Sequence, residues 1–229
     1  FFGETLGCRL EEIENLASAG FDYLFNSSKW WDFQDEWCLE QYESNRHIAP
    51  SVSFPESHDT ERLAAEVNGN MDVVKRSYAF AAAFSAGIMM PVGYEYGFRK
   101  RLHVVRTDPS DWEEPGFDIS ELVRAANNMK ACCPILNEEA PIRRMPDQTD
   151  SVTVLLKCSE RNSGKACIII NRDVEQSRLI NLPAFFDSVG TAEDQIEDIS
   201  PENRISLPGR SECLLGPAEV KVFHILHRD

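Results

Sequence analysis

The sequence predicts an α/β chain in two parts, a parallel β/α region followed by an antiparallel β region, and three observations carry this. From residue 1 to about 136, short apolar runs that end in polar residues alternate with longer segments of helical spacing. Past residue 150 the texture changes to short β-type runs separated by the turn signals NSG, PEN and PGR. The 229 residues, 42% of them hydrophobic, suffice for one large domain or two modest ones with real cores. We place the parallel region at 1–144 and the β region at 145–229.

The first strand is FFGE, and the helix RLEEIENLASAG follows, with Gly20 as its stop. FDYLFNS is the second strand and WDFQDEWCLEQYESNR the second helix. The third strand lies in APSVSFPESHD; the helix MDVVKRSYAFAAAFSAG follows, stopped by Gly87. AGIMMPVGYEYGF supplies the fourth strand. DISELVRAANNMKACC is the last helix of this region, with Asp118 as its N-cap, Glu121 at the capping-box position and Pro134 beyond its end. In the β region the strands are SVTVLLKCS, KACIIINRD, SRLINLP and AEVKVFHIL. Four βα units fit half of an eightfold barrel or part of an open doubly wound sheet, and periodicity does not choose between them.

Composition narrows the function. The net charge of −15, from 38 acids and 23 bases scattered along the chain, repels a phosphate backbone, so nucleic acid is not an expected partner. The longest apolar stretch, AFAAAFSAGIMMPVG, is too short and too interrupted to span a membrane, and no secretory leader opens the sequence; a soluble chain is expected. Seven cysteines without CxxC or Cys/His spacing suggest neither a disulfide framework nor zinc, and a reducing cytoplasm is the expected location. Neither GxGxxG nor GxxxxGK[ST] is present, so no phosphate-loop cofactor is expected; no metal cluster is visible either. FFGETLG reads as a strand already under way without an initiator Met, which suggests a piece of a longer polypeptide.

Side chains just beyond the C-terminal ends of parallel strands converge on one face. Here those positions hold Glu4, Asn26 with Ser27, His58 with Asp59, and Tyr94 with Glu95. Paired carboxylates across a cleft are what acid-catalysed cleavage of a glycosidic bond demands. Taken locally, the favoured reading of Asp59, or Thr60, is an N-cap for ERLAAEV, that of Glu4 a solvated loop acid and that of His58 a histidine bonded to backbone. The aromatic-rich SSKWWDFQDEW offers rings for sugar faces or for a core: Phe33 and Trp37 read as core, Trp30 and Trp31 as candidates to line the site.

The phrase SFPESHDT resembles the FxxNHD motif on the seventh barrel strand of glycoside hydrolase family 13, the α-amylase family, with Ser57 at the usual Asn position. FGETLG resembles the fifth-strand motif with that family's acid/base glutamate, and GIMMPVGYEYGF the eighth-strand GxPxIYYGxExG segment, in a shorter form that aligns Glu95. ISELVRAANNMKACCPIL is similar to the last barrel helix, and ACIIINRD and VKVFHIL to strands of the following β-sandwich, domain C. The resemblance implies a partial TIM (β/α)8 barrel, strands five to eight, followed by an antiparallel β-sandwich domain. It also implies Glu4 as general acid/base, Asp59 as the carboxylate that stabilises the distorted sugar and His58 as a donor to the same ring, with an α-linked glucose oligosaccharide or polysaccharide as the partner; Trp30, Trp31, Asn26 and Glu95, from their places at strand ends and in the aromatic run, are the further candidate substrate-binding residues.

The family's GxRxD phrase with the nucleophilic aspartate does not occur, so the segment alone is expected to be inactive, by hydrolysis or by transfer. Half a barrel has open edges that invite pairing with the missing half or with a second copy. A non-catalytic carbohydrate-binding or assembly module on the same fold is the alternative.

Overall fold

The computed structural model describes residues 1–146 and 149–226; residues 147, 148 and 227–229 of the predicted β region lie outside these. Four short strands, β1 (Phe2–Glu4), β2 (Tyr23–Phe25), β3 (Ser51–Ser53) and β4 (Gly87–Ile88), pair in parallel in sequence order. Each crossover carries helix: α1 (Leu10–Glu14) with a 3-10 extension, α2 (Trp37–Asn45), then α3 (Leu63–Glu66) and α4 (Met71–Phe84). Helix α5 (Ser120–Cys132) closes this part.

Local chemistry sets the helix ends. Gly20 adopts φ 73, the left-handed stop expected of it. Helix α2 starts only at Trp37, because Phe33 takes φ 63 and the Asp32 carboxylate accepts the amides of Gln34 and Asp35 in a tight turn. The Asn70 side chain caps α4 by accepting from Asp72 and Val73. That helix ends at Phe84; Gly87, expected as its stop, lies in β4, where a Cβ would come within 2.8 Å of Val52. The N-cap position of α5 is held by Ile119 rather than by Asp118, which sits one residue earlier and accepts from the Ser120 amide, and Glu121 pairs with Arg124 instead of closing a capping box.

The register sorts the parallel sheet into two faces. Phe2 and Glu4 share a face with Tyr23, Phe25 and Val52, and the Phe2 ring stacks on Tyr23 at 5.3 Å. The opposite face carries the helices: Leu24 packs with Ile13 of α1, and Ser51 and Ser53 meet Ser85 at the end of α4. Phe2 remains 66% exposed on the uncovered face.

A five-stranded antiparallel sheet follows, in the order β5 (Ile142–Arg144), β6 (Val152–Cys158), β7 (Lys165–Asn171), β11 (Val220–Ile225), β9 (Ile196–Asp198). It therefore starts at Ile142 rather than at 145. The pair β8 (Arg178–Asn181) and β10 (Glu212–Leu215) packs over it together with α6 (Leu182–Val189). The expected strand SRLINLP ends at Asn181; Pro183 lies in the first turn of α6, where its missing N–H costs nothing, and Asn181 caps the Ala184 amide.

Alternation along β6, β7 and β11 gives this sheet two apolar faces. Val154, Leu156, Cys167, Ile169, Phe223 and Ile225 pack toward β8, β10 and α6, while Leu155, Ile168, Ile170 and Val222 join Phe80, Phe84 and Leu136 in one core with α4 and α5. The seam is also tied by buried lysines. Lys157 of β6 donates to the Phe84 carbonyl (2.9 Å), and Lys130 of α5 donates to the carbonyls of Ala82 (3.2 Å), Ser85 (2.7 Å) and Leu136. The contacts with Ala82, Phe84 and Ser85 satisfy carbonyls that the C-terminus of α4 leaves without helical partners, and place amine donors where the helix dipole favours them.

Candidate active site

All four parallel strands point the same way, so their C-terminal ends form one edge. Glu4 ends β1 on the uncovered face. Beyond β3 the chain turns through Phe54 and Pro55 into a short loop whose groups bind one another. Ser57 Oγ accepts from the Asp59 amide (3.2 Å), and Thr60 Oγ1 accepts from the Ser57 amide (3.0 Å). This loop brings His58 and Asp59 across to Glu4: the side-chain donor atoms of the three residues all lie within 4.8 Å of one another. His58 Nε2 is 3.2 Å from Asp59 Oδ2. All three are exposed. They offer a general acid or base, a second carboxylate for developing positive charge, and an imidazole donor. The same donor set could share a cation, a spacing that exposed carboxylates commonly reach without one.

Asp59 caps no helix. The first amide of α3, that of Leu63, is accepted by Glu56 at 2.6 Å. Glu56 in turn pairs with Arg62 at 3.0 Å, both side chains only 1% exposed, and Arg62 Nη2 donates to the Val92 carbonyl (2.9 Å). Burial pushes the Glu56 carboxyl up to about 7, and the Arg62 charge opposes this. The pair fixes both ends of the stretch that carries His58 and Asp59. The only signal of this pair in the residues is an acid and an arginine that flank His-Asp.

The remaining predicted residues divide. Trp30 is 51% exposed, in a 3-10 turn after β2, with its ring edge-on to Phe54 at 6.1 Å. Phe54 meets Phe25 at 5.9 Å, and Phe25 meets Phe2, so aromatic rings run from Trp30 along the face that bears Glu4. Trp31 does not line the site. At 4% exposure it packs on Phe33, Phe80 and Phe84, and its indole N–H donates to the Asp35 carbonyl (2.7 Å). Adjacent residues leave the turn in opposite directions, one to solvent and one to the core.

Asn26 is buried on the helix side of the sheet. Its Nδ2 donates to the hydroxyls of Ser51 (3.1 Å), Ser53 (3.1 Å) and Ser85 (2.8 Å), and its Oδ1 accepts from the Ser28 amide. It is a knot of the fold, not a substrate contact. Glu95 closes its own turn by accepting from the Gly93 amide (3.1 Å) and does not join the Glu4 cluster. Phe33 is core as expected, whereas Trp37 lies at the surface.

No family model matches the sequence. A Burkholderia pseudomallei protein, alpha-1,4-glucan:maltose-1-phosphate maltosyltransferase, is 28% identical over 182 residues, covering 73% of this chain and 16% of that protein. Among solved structures, the α-amylase of H. orenii superposes with a TM-score of 0.71 at 11% identity, over 98% of this chain and 53% of that one. The α-amylase of Geobacillus thermoleovorans complexed with acarbose gives 0.68 at 14% identity, over 100% and 53%. Trehalose-6-phosphate hydrolase of Bacillus licheniformis gives 0.65 at 11%, over 99% and 56%. At these identities the likeness shows the fold: the chain has the architecture of the C-terminal half of an amylase barrel with its following β domain, and spans about half the length of those structures.

Proposed function

We propose that this chain is the C-terminal portion of an α-amylase-family enzyme that acts on α-linked glucosides with retention, by hydrolysis or by transfer to another sugar. The observation that carries the reading is the meeting of Glu4, His58 and Asp59 at the C-terminal edge of the parallel sheet. The 28%-identical maltosyltransferase and the amylase-like architecture support it.

Glu4 protonates the departing glycosidic oxygen and then takes a proton from the incoming water or sugar hydroxyl. Asp59 strengthens its hydrogen bonds as positive charge grows on the ring, and His58 bonds the same sugar. Trp30 offers a ring to a flanking unit. The nucleophilic carboxylate of the retaining reaction comes from outside this sequence, so the segment alone does not turn over. The uncovered face around Phe2 and Tyr23 is where the remainder of a barrel, or a second copy, would close the sheet. Seven free cysteines fit a reducing compartment, and among the described residues no helix is long and apolar enough to cross a membrane.

The test is Glu4→Gln in the longer protein that contains this chain. Turnover of α-glucan should fall by a factor on the order of a thousand or more, with the fold retained by circular dichroism. Near-normal turnover removes Glu4 from the chemistry.

A further inference from the structure

Phe33 sits at φ 63, in the left-handed region that glycine enters freely and that an aromatic residue keeps only when its surroundings hold it there. The groups that hold it come from the β domain. The Phe33 carbonyl accepts from the Thr153 hydroxyl (2.6 Å) and from Arg144 Nη2 (2.9 Å), and the Gln34 carbonyl accepts from Arg144 Nη1. Thr153 is 0% exposed, and alternation along β6 puts it on the same face as Leu155 and Lys157, toward α4. Arg144 is the last residue of β5, the neighbouring edge strand. The ring itself is fixed by α4: it stands edge-on to Phe80 at 4.9 Å, with the Arg76 guanidinium 5.1 Å from its centre.

What this turn carries is a pair of tryptophans. Its third carbonyl, that of Asp35, accepts the Trp31 indole N–H (2.7 Å), and the Arg144 guanidinium lies 6.0 Å from the centre of that ring. Trp31 has an extended backbone, φ -75 and ψ 133, so seating its side chain in the core commits the adjacent Trp30 to the opposite side. There Trp30 stands edge-on to Phe54. The near end of the stretch is pinned within the parallel region, where Ser28 donates its amide to Asn26 and its hydroxyl to Ser53. The far end is pinned from the β domain.

Joining two domains does not by itself call for this arrangement. Leu155, Ile168 and Val222 already share one core with Phe80 and Phe84, and such burial is non-directional. A buried hydroxyl and a guanidinium aimed at consecutive carbonyls add direction instead. A costly backbone conformation kept by such groups belongs to places where a side chain must point one way. Trp30, 51% exposed and following β2 at the edge where Glu4, His58 and Asp59 meet, is the exposed ring of this stretch.

We propose that Thr153 and Arg144 position Trp30: from the β domain they hold the 32–36 turn and thereby aim the Trp30 ring at a flanking sugar of the α-glucan. This rests on the glucan reading, whose own failure shows separately, as turnover retained in Glu4→Gln. The test is steady-state turnover of maltoheptaose by the longer protein that contains this chain. Thr153→Val removes the hydroxyl at nearly constant volume and should raise KM by about threefold or more, with kcat held within about twofold. Thr153→Ser, which keeps the hydroxyl, should restore the wild-type KM. Added to Trp30→Ala, which raises KM by itself, Thr153→Val should bring no further increase. Circular dichroism checks each fold, and Arg144→Met, read in the same way against Trp30→Ala, decides the matter if Thr153→Val does not fold. An unchanged KM in folded Thr153→Val overturns the proposal, as does a fall in kcat at constant KM. An increase that persists in full on the Trp30→Ala background, or that Thr153→Ser shares, also overturns it, because either result assigns Thr153 to the fold alone.

Discussion

Arg62 Nη1 lies 3.0 Å from Glu56 Oε1 beneath the loop that bears His58 and Asp59, with both side chains sealed from solvent. Taking away one charge leaves the other buried and alone. Arg62→Leu should therefore cost about 3–5 kcal/mol in denaturant unfolding, while Glu56→Gln with Arg62→Leu should recover a large share of it. A single variant that unfolds like the wild type would show the pair to be idle.

Trp30 and Trp31 are adjacent, and their fates should differ. Trp31→Ala empties a site among Phe33, Phe80 and Phe84 and should lose about 3–5 kcal/mol of stability. Trp30→Ala removes a half-exposed ring and should stay within about 1 kcal/mol, with its effect read instead in affinity for glucan. Equal losses in thermal unfolding would contradict the arrangement.

The buried lysines make stability depend on pH with a definite sign. Burial pushes Lys130 down to about 7 and Lys157 down to about 8, against about 10.4 in an unfolded chain. Between those values the unfolded state binds more protons, so the lysine contribution is fully present above about pH 10 and is lost as pH falls through about 8 and then 7. The carboxyl of Glu139, itself pushed up by burial against the pull of Lys157, acts on stability in the opposite sense. Unfolding free energy of the wild type should rise from about pH 7 to 9.5, and Lys130→Met should flatten that slope. A variant with the wild-type slope would assign the dependence elsewhere.

Asn70 accepts two amides at the start of α4. Asn70→Ala should cost about 1 kcal/mol, measured by chemical denaturation, and Asn70→Asp should cost much less.

Much of this was readable in the residues. Short apolar runs that end on Glu4, Asn26 and His58-Asp59 gave the parallel strands and the edge on which the acids meet, because a strand's direction fixes which end its last polar side chain occupies. Alternation in SVTVLLKCS and KACIIINRD gave the antiparallel strands. What escaped depends on geometry that periodicity does not encode. The 3-10 turn at Ser28–Trp30 sends neighbouring tryptophans apart, and Asn26 looks like a site residue until three serines from distant segments surround it. Pro183 reads as a strand's end and is a helix's beginning. The link between Glu56 and Arg62 spans a turn whose shape no spacing rule supplied.

The Lys157 contact with Phe84 bears on how this architecture can be rearranged. A β domain moved onto a different scaffold would bring along an ammonium group whose acceptor stayed behind, together with a sheet face of Leu155, Ile168 and Val222 shaped for one particular helix. Crossover points that transfer α4, α5 and the sheet as a block keep this contact and this shared face together, even though the two halves differ in topology.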